Sequence, residues 1–213
     1  MKATTEKIFK ELFKRYPSLN AAKASLLSAY NMICSTYESG GTLYVCGNGG
    51  SASDSEHIVG ELLKSFKKPR KIDPKTESTL LALGEDGKHL LENLEGALPA
   101  VSLTSQTAVL TAFANDKAWD IAIAQQLYGL GRSGDCLLTL STSGNSKNCV
   151  FAALLAKAKG IKTVALTGNS GGKLKGICNE CICVPETETY KVQELHLPIY
   201  HCLCAMLEED FFD

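Results

Sequence analysis

Two residues one helical turn apart, His57 and Glu61, follow a glycine-rich turn, GNGGS, at residues 47–51. The i, i+4 spacing puts both side chains on one helix face, where they could be two metal ligands or a ligand beside a catalytic base. Near the C-terminus, YKVQELHLPIYHC carries Gln193, His196 and His201 on a second helical pattern. Of the four histidines, only His89 stands apart from these two sets. A lone histidine on an apolar face is usually a core residue; two helices carrying such sets are less easily dismissed, and spacing alone leaves core packing and a shared site both open. Along a straight helix, Gln193 and His201 stand about 12 Å apart. For one metal to collect both, the helix must bend or the site must be shared across a subunit interface. Pro198 lies between them and removes the N–H that would bond the Glu194 carbonyl, so a bend is expected.

Two loops have the chemistry to hold a ligand. In GNGGS, Gly47, Gly49 and Ala52 match G-x-G-x-x-A, the outline of a dinucleotide fingerprint. That reading needs an acidic residue ending the next strand, about twenty residues on. What lies there is KKPRKIDPK, which is no strand, so Asp73 is a poor partner. The turn could also need glycine only for its backbone. We favour a third reading, in which backbone N–H groups with the side chains of Asn48 and Ser51 form one wall of a small-substrate pocket. In LSTSGNSKN, Ser141, Thr142, Ser143 and Ser146 set four hydroxyls around one glycine at a helix start. Ordinary capping needs one hydroxyl. Four, with the free N–H groups of a helix N-terminus, suit a phosphate monoester.

The elements that position these residues are legible as alternating apolar runs and helical periodicities. Residues 1–15 and 19–39 read as amphipathic helices broken at Pro17. TLYVC, PAVSL, DCLLTL, KTVALTG and CICVP read as strands. Helices are expected over 51–66, 105–115, 118–130, 146–160, 171–177 and 189–210. Near-continuous apolar strands alternating with helices give a parallel sheet covered on both faces. The expected fold is α/β, a three-layer αβα sandwich on a five-stranded, doubly wound parallel sheet, with N-terminal helices over 1–39. Both polar loops fall at carboxyl ends of strands, where such sheets bind ligands. Residues 67–98 interrupt with charge and prolines, and read as a surface excursion holding one short helix over 87–98.

Composition removes several classes. With 22 basic and 23 acidic residues, well mixed, there is no field to favour nucleic acid or an anionic membrane. No apolar stretch approaches a membrane span, and the charged, helical N-terminus is not a secretory signal, so a soluble cytoplasmic protein is expected. Several of the nine cysteines sit inside strand or helix patterns, as a reduced compartment allows. CNECIC, residues 178–183, has C-x-x-C spacing, but no second pair follows to close a zinc knuckle.

VCGNGGSASDSEHIVGEL, AND at 114–116, LSTSGNSKN, ALTGNSGGKLKG and VQELHLPIYHCLCAMLEE together resemble the sugar-isomerase (SIS) domain proteins, and within them the phosphoheptose isomerases. The resemblance covers essentially the whole chain except the excursion. It implies an isomerase that interconverts sedoheptulose 7-phosphate and D-glycero-D-manno-heptose 7-phosphate. It also implies zinc, and a homotetramer with sites between subunits. By motif, His57, Glu61, Gln193 and His201 match metal and catalytic positions, with Glu61 as base and His201 as acid. Asn48, Gly49, Gly50, Asn115, Asp116, Ser141, Thr142, Ser143 and Ser146 match substrate-loop positions, Asn115 and Asp116 on the resemblance alone.

The chain departs from the family pattern in three places. Residues 67–98 are longer than the usual link, Tyr190 stands where an acidic substrate contact is common, and Pro198 is unusual inside its helix. Non-catalytic relatives act as tetrameric adaptors, for example on the replication initiator, and keep the loops but lack the glutamate and the last histidine. Glu61 and His201 are both present here, which favours an enzyme, although AFANDKAWD leans towards the adaptor pattern. Isomerases of amino-sugar phosphates usually carry a second, tandem SIS domain, whereas a single one is expected here over residues 1–213.

Overall fold

The computed structural model describes residues 1–212. Its centre is a parallel sheet of β1 (Leu43–Cys46), β2 (Ala100–Ser102), β3 (Cys136–Ser141), β4 (Lys162–Thr167) and β5 (Glu180–Cys183), in the order β2-β1-β3-β4-β5. Side chains alternate along each strand, so each strand feeds two cores. Leu43, Val45, Leu138, Leu140, Val164 and Leu166 pack under α1 (Ala3–Arg15), α2 (Lys23–Glu38), α3 (Gly50–Leu63) and α10 (Thr189–Phe211). Tyr44, Cys46, Leu137 and Ala165 pack under α7 (Ala122–Leu130), α8 (Lys147–Ala158) and α9 (Gly172–Ile177). Burial on both faces explains why β1 and β3 read as unbroken apolar runs, every residue of each being buried.

The strand order decides where the site falls. From β1 the chain crosses to β2 on one side, then returns to β3 on the other, pairing Leu43 with both Ala100 and Cys136. The connections after β1 and β3 therefore leave the sheet on opposite faces and open a crevice at their carboxyl ends. The GNGGS and STSGNS loops occupy its two sides.

Three stretches differ from the sequence expectation. The second N-terminal helix starts at Lys23, because Pro17–Ala22 forms a 3-10 turn that buries Leu19 and Ala22. Two helices, α4 (Pro74–Leu81) and α5 (Glu85–Asn93), occupy the 67–98 segment where one was expected. A start signal for α4 is present: the Asp73 side chain accepts from Thr76 N at 2.9 Å, and Pro74 takes the first helical position. α4 buries no residue. The segment's root is different, for Arg70 is 3% exposed and reaches into the protein. In the last helix, Pro198 is accommodated inside one continuous element from Thr189 to Phe211. α6 (Thr107–Asp116) lies between β2 and α7.

Candidate functional site

Helices α3 and α10 run side by side from the sheet's carboxyl edge, and successive residues of one meet successive residues of the other. At the head of the pair, a side-chain carbon built on Gly50 would fall 2.7 Å from Gln193 Nε2, so only glycine admits that amide. Further along, the His201 ring stands edge-on to His57, centroids 5.0 Å apart. His57 Nε2 is 3.2 Å from Glu61 Oε1. At the far end, Glu208 meets the residues that follow α3. Gln193 and His201 are thus both directed at α3 in one subunit, at different points along it: Gln193 at the glycine turn and His201 at His57. α10 remains one element through Pro198.

Around His57 the chemistry is concentrated. Its Nδ1 lies 3.1 Å from the Tyr200 hydroxyl, which is also 3.1 Å from Asp54 Oδ1. Glu61 Oε2 and His201 Nε2 are buried with no hydrogen-bond partner among the described residues. Lys64 Nζ, 3.7 Å from Glu61 Oε2, is beyond hydrogen-bond reach. Burial holds the His201 imidazole below its ordinary range, and the neighbouring His57 adds to this while Glu61 opposes it. His201 is therefore neutral at pH 7, with one ring nitrogen to donate and one to accept. His196, the third histidine of the C-terminal set, is fully buried, and burial lowers its pKa to about 4. It is a core residue.

The serine loop is built without capping its own helix. Ser146 precedes α8 as N-cap yet makes no side-chain cap bond. Its hydroxyl pairs with Ser141 Oγ at 2.9 Å, and Ser143 Oγ accepts from Asn145 N at 3.1 Å. Thr142 is half-buried and Ser143 exposed on the same turn. The shape is locked from behind: Gly144 has φ +66, and an added side-chain carbon would meet Gly171 O at 2.1 Å. Leu174 N donates to Gly144 O at 3.1 Å, and Lys173 N to Asn145 Oδ1 at 3.0 Å. The nearest cation on α8, Lys147, is paired with Asp120 at 3.0 Å. Ser146 N and Cys149 N are taken by Ser141 Oγ and Asn148 Oδ1, and the hydroxyls with the N–H groups of Lys147 and Asn148 remain to receive an anion.

The glycine turn is joined to this loop by a reciprocal amide pair. Asn48 Nδ2 donates to Asn148 Oδ1 at 2.9 Å, and Asn148 Nδ2 to Asn48 Oδ1 at 2.7 Å. Gly49 and Gly50 are exposed, whereas Ser51 is buried and its carbonyl accepts from Ser55 Oγ. Asn115 and Asp116 end α6, exposed and bonded to each other at 2.9 Å; no described hydrogen bond links them to the other candidates. Sequence reasoning passed over Asn148, Tyr200, Asp54, Arg70 and Glu208. Asp54 and Tyr200 flank the residues it did choose, but only the packing of α3 on α10 shows that they meet.

A parallel sheet with polar loops after β1 and β3, and two helices meeting over a histidine and a glutamate, is the arrangement of a SIS domain, and the SIS domain family model matches residues 90–168. Within that class, the chain belongs to the phosphoheptose isomerase family. It is 37% identical over 193 residues to a phosphoheptose isomerase of Akkermansia muciniphila, covering 90% of this chain and 89% of that protein. It is 36% identical over 202 residues to one of Helicobacter pylori, covering 95% and 91%. A solved phosphoheptose isomerase from Francisella tularensis superposes with a TM-score of 0.73 at 28% identity, covering 98% of this chain and all of that one. The Neisseria gonorrhoeae enzyme gives 0.72 at 27%, covering 97% and 100%.

Proposed function

We propose that this chain interconverts sedoheptulose 7-phosphate and D-glycero-D-manno-heptose 7-phosphate, with zinc at His57, Glu61 and His201 and with Gln193 completing the set across a subunit interface. The observation that carries the reading is the pair of buried atoms without a hydrogen bond, Glu61 Oε2 and His201 Nε2, on two residues that both neighbour His57. A buried carboxylate oxygen and imidazole nitrogen without partners are costly unless a ligand completes them. The donor set of carboxylate, imidazole and amide suits zinc, although among the described residues no three His, Cys or carboxylate side chains already converge as ligands.

The ketose–aldose exchange moves a proton between C1 and C2 through a cis-enediol. Glu61 takes the C1 proton of the ketose and delivers it to C2. His201, neutral, donates to the carbonyl oxygen as the enediol forms and accepts from the neighbouring hydroxyl as it collapses. Zinc, when bound, supplies Lewis-acid polarisation of that oxygen. Ser141, Thr142, Ser143 and Ser146 hold the phosphate, so binding energy far from the reacting carbons orients them. Asn48, Gly49, Gly50 and Gln193 line the sugar with Ser51 buried behind them, and Asn115 and Asp116 at the end of α6 are assigned to it by the family motif.

We place this enzyme in the cytoplasm as a homotetramer with sites between subunits. No helix among the described residues is long and apolar enough to cross a membrane. All nine cysteines are free. The apolar helix α6 buries none of its residues, and nearby Trp119 and Tyr128 are 62% and 61% exposed, a surface that suits a second copy.

The direct test is incubation with sedoheptulose 7-phosphate and zinc, followed by NMR for the aldose product. No conversion would reject the assignment. Dialysis against a chelator is expected to lower kcat by about a hundredfold or more, as loss of a Lewis acid worth several kcal/mol implies, with zinc restoring it. Full activity in protein shown to be metal-free would reject the zinc. The double variant Ser143→Ala, Ser146→Ala is expected to raise KM about tenfold or more with a smaller change in kcat, the loss of two hydrogen bonds to a charged group. An unchanged KM would remove the phosphate from this loop.

A further inference from the structure

The two ring nitrogens of His57 have different partners, and the difference sets where its proton sits. Nδ1 is 3.1 Å from the Tyr200 hydroxyl, and that hydroxyl is 3.1 Å from Asp54 Oδ1. An ionised carboxylate only accepts, and a phenol has one proton to give. The phenol proton therefore goes to Asp54, and the phenol oxygen accepts from His57 Nδ1–H. In the neutral imidazole that leaves the Nε2 lone pair facing Glu61 Oε1 at 3.2 Å. Two lone pairs at that distance repel unless positive charge lies between them. The ring of Tyr200 is 1% exposed and stands edge-on to both His57 and His201, at 5.5 and 5.0 Å, so it also fixes the imidazole planes.

We infer that Tyr200, oriented by Asp54, is a positioning residue that holds His57 in the tautomer whose Nε2 is free to ligate metal. The inference rests on the zinc reading above and assigns its outer support to a phenol–carboxylate relay. Outer partners of this kind, when lost, typically cost ten- to a hundredfold in metal affinity.

The test is zinc affinity of the full chain, read by competition with a chromophoric chelator and paired with thermal melting. Tyr200→Phe keeps the ring and removes only the hydroxyl. Its zinc Kd is expected to rise about ten- to a hundredfold, with a cooperative melt retained. Asp54→Ala is expected to match it, and the double variant to be no weaker than either single, because one chain is broken only once. Asp54 is partly exposed, so its variant carries the test should Tyr200→Phe fail to melt cooperatively. A Kd within twofold of wild type in the single variants, or additive losses in the double, would overturn the relay while leaving zinc in place. Wild-type protein that binds no zinc in competition would overturn both.

Discussion

Replacing Glu61 with Gln is expected to lower kcat by about a thousandfold or more, while KM stays within a few-fold and the melting temperature barely moves. General acid–base catalysis is commonly worth 10²–10⁴. The amide keeps the size and hydrogen-bonding oxygen of the carboxylate but cannot take a proton from carbon. The fold has little at stake in this charge: the groups near it are His57 at 3.2 Å and Lys64 at 3.7 Å, both with substantially exposed side chains. The proposed phosphate loop belongs to β3 and α8, which the substitution does not touch. Because Glu61 is also a proposed ligand, zinc content must be measured alongside the rate. A variant that keeps its zinc yet loses turnover isolates the base, and turnover within tenfold of wild type would remove Glu61 from that role.

The largest expected effect on stability lies at the root of the 67–98 segment. Arg70 and Glu208 form an ion pair at 2.8 Å with side chains 0% and 2% exposed. Glu208 also accepts from the N–H groups of Phe66 and Lys67, both at 2.8 Å. Arg70 Nη1 and Nη2 donate to Leu62 O and Glu61 O, both at 2.7 Å. These are terminal carbonyls of α3, which have no partner within the helix. Removing either charge strands the other in the interior, which typically costs about 3–5 kcal/mol. For a chain of this size, Arg70→Met or Glu208→Met is expected to lower the melting temperature by about 10 °C. The double variant should lose less than either single, because no charge is then left uncompensated. A fall of under about 2 °C in the singles would show that water reaches the pair. Since Arg70 grips the carbonyl of Glu61 itself, kcat in these variants reports whether the base depends on that anchor.

The legible part of the fold was the part set by local pattern. The strands of β1, β3 and β4 declare themselves because burial on both faces demands unbroken apolar runs. α4 is the counter-example: its Asp73–Pro74 start is in the sequence, yet the surrounding charges and prolines hide it, and an exposed helix needs no apolar stripe. For the site, hydroxyl density marks the serine loop and the i, i+4 spacing marks His57 and Glu61. Four hydroxyls exceed what capping requires, and the structure shows Ser146 making no side-chain cap bond.

By itself, then, the sequence determined the alternation of strands and helices, the two polar loops at strand ends, and which side chains could do chemistry. These are properties of residue type and short-range spacing, which the backbone periodicities translate directly. Only the tertiary structure decided that α3 and α10 lie side by side, so that Gln193 meets the glycine turn while Tyr200 and His201 meet His57. Only there does Arg70, a charged residue in an otherwise polar stretch, become the buried partner of Glu208, 138 positions away. Such pairings follow from strand order and helix packing, and both are settled by burying two apolar faces of one sheet at once, which no local stretch encodes.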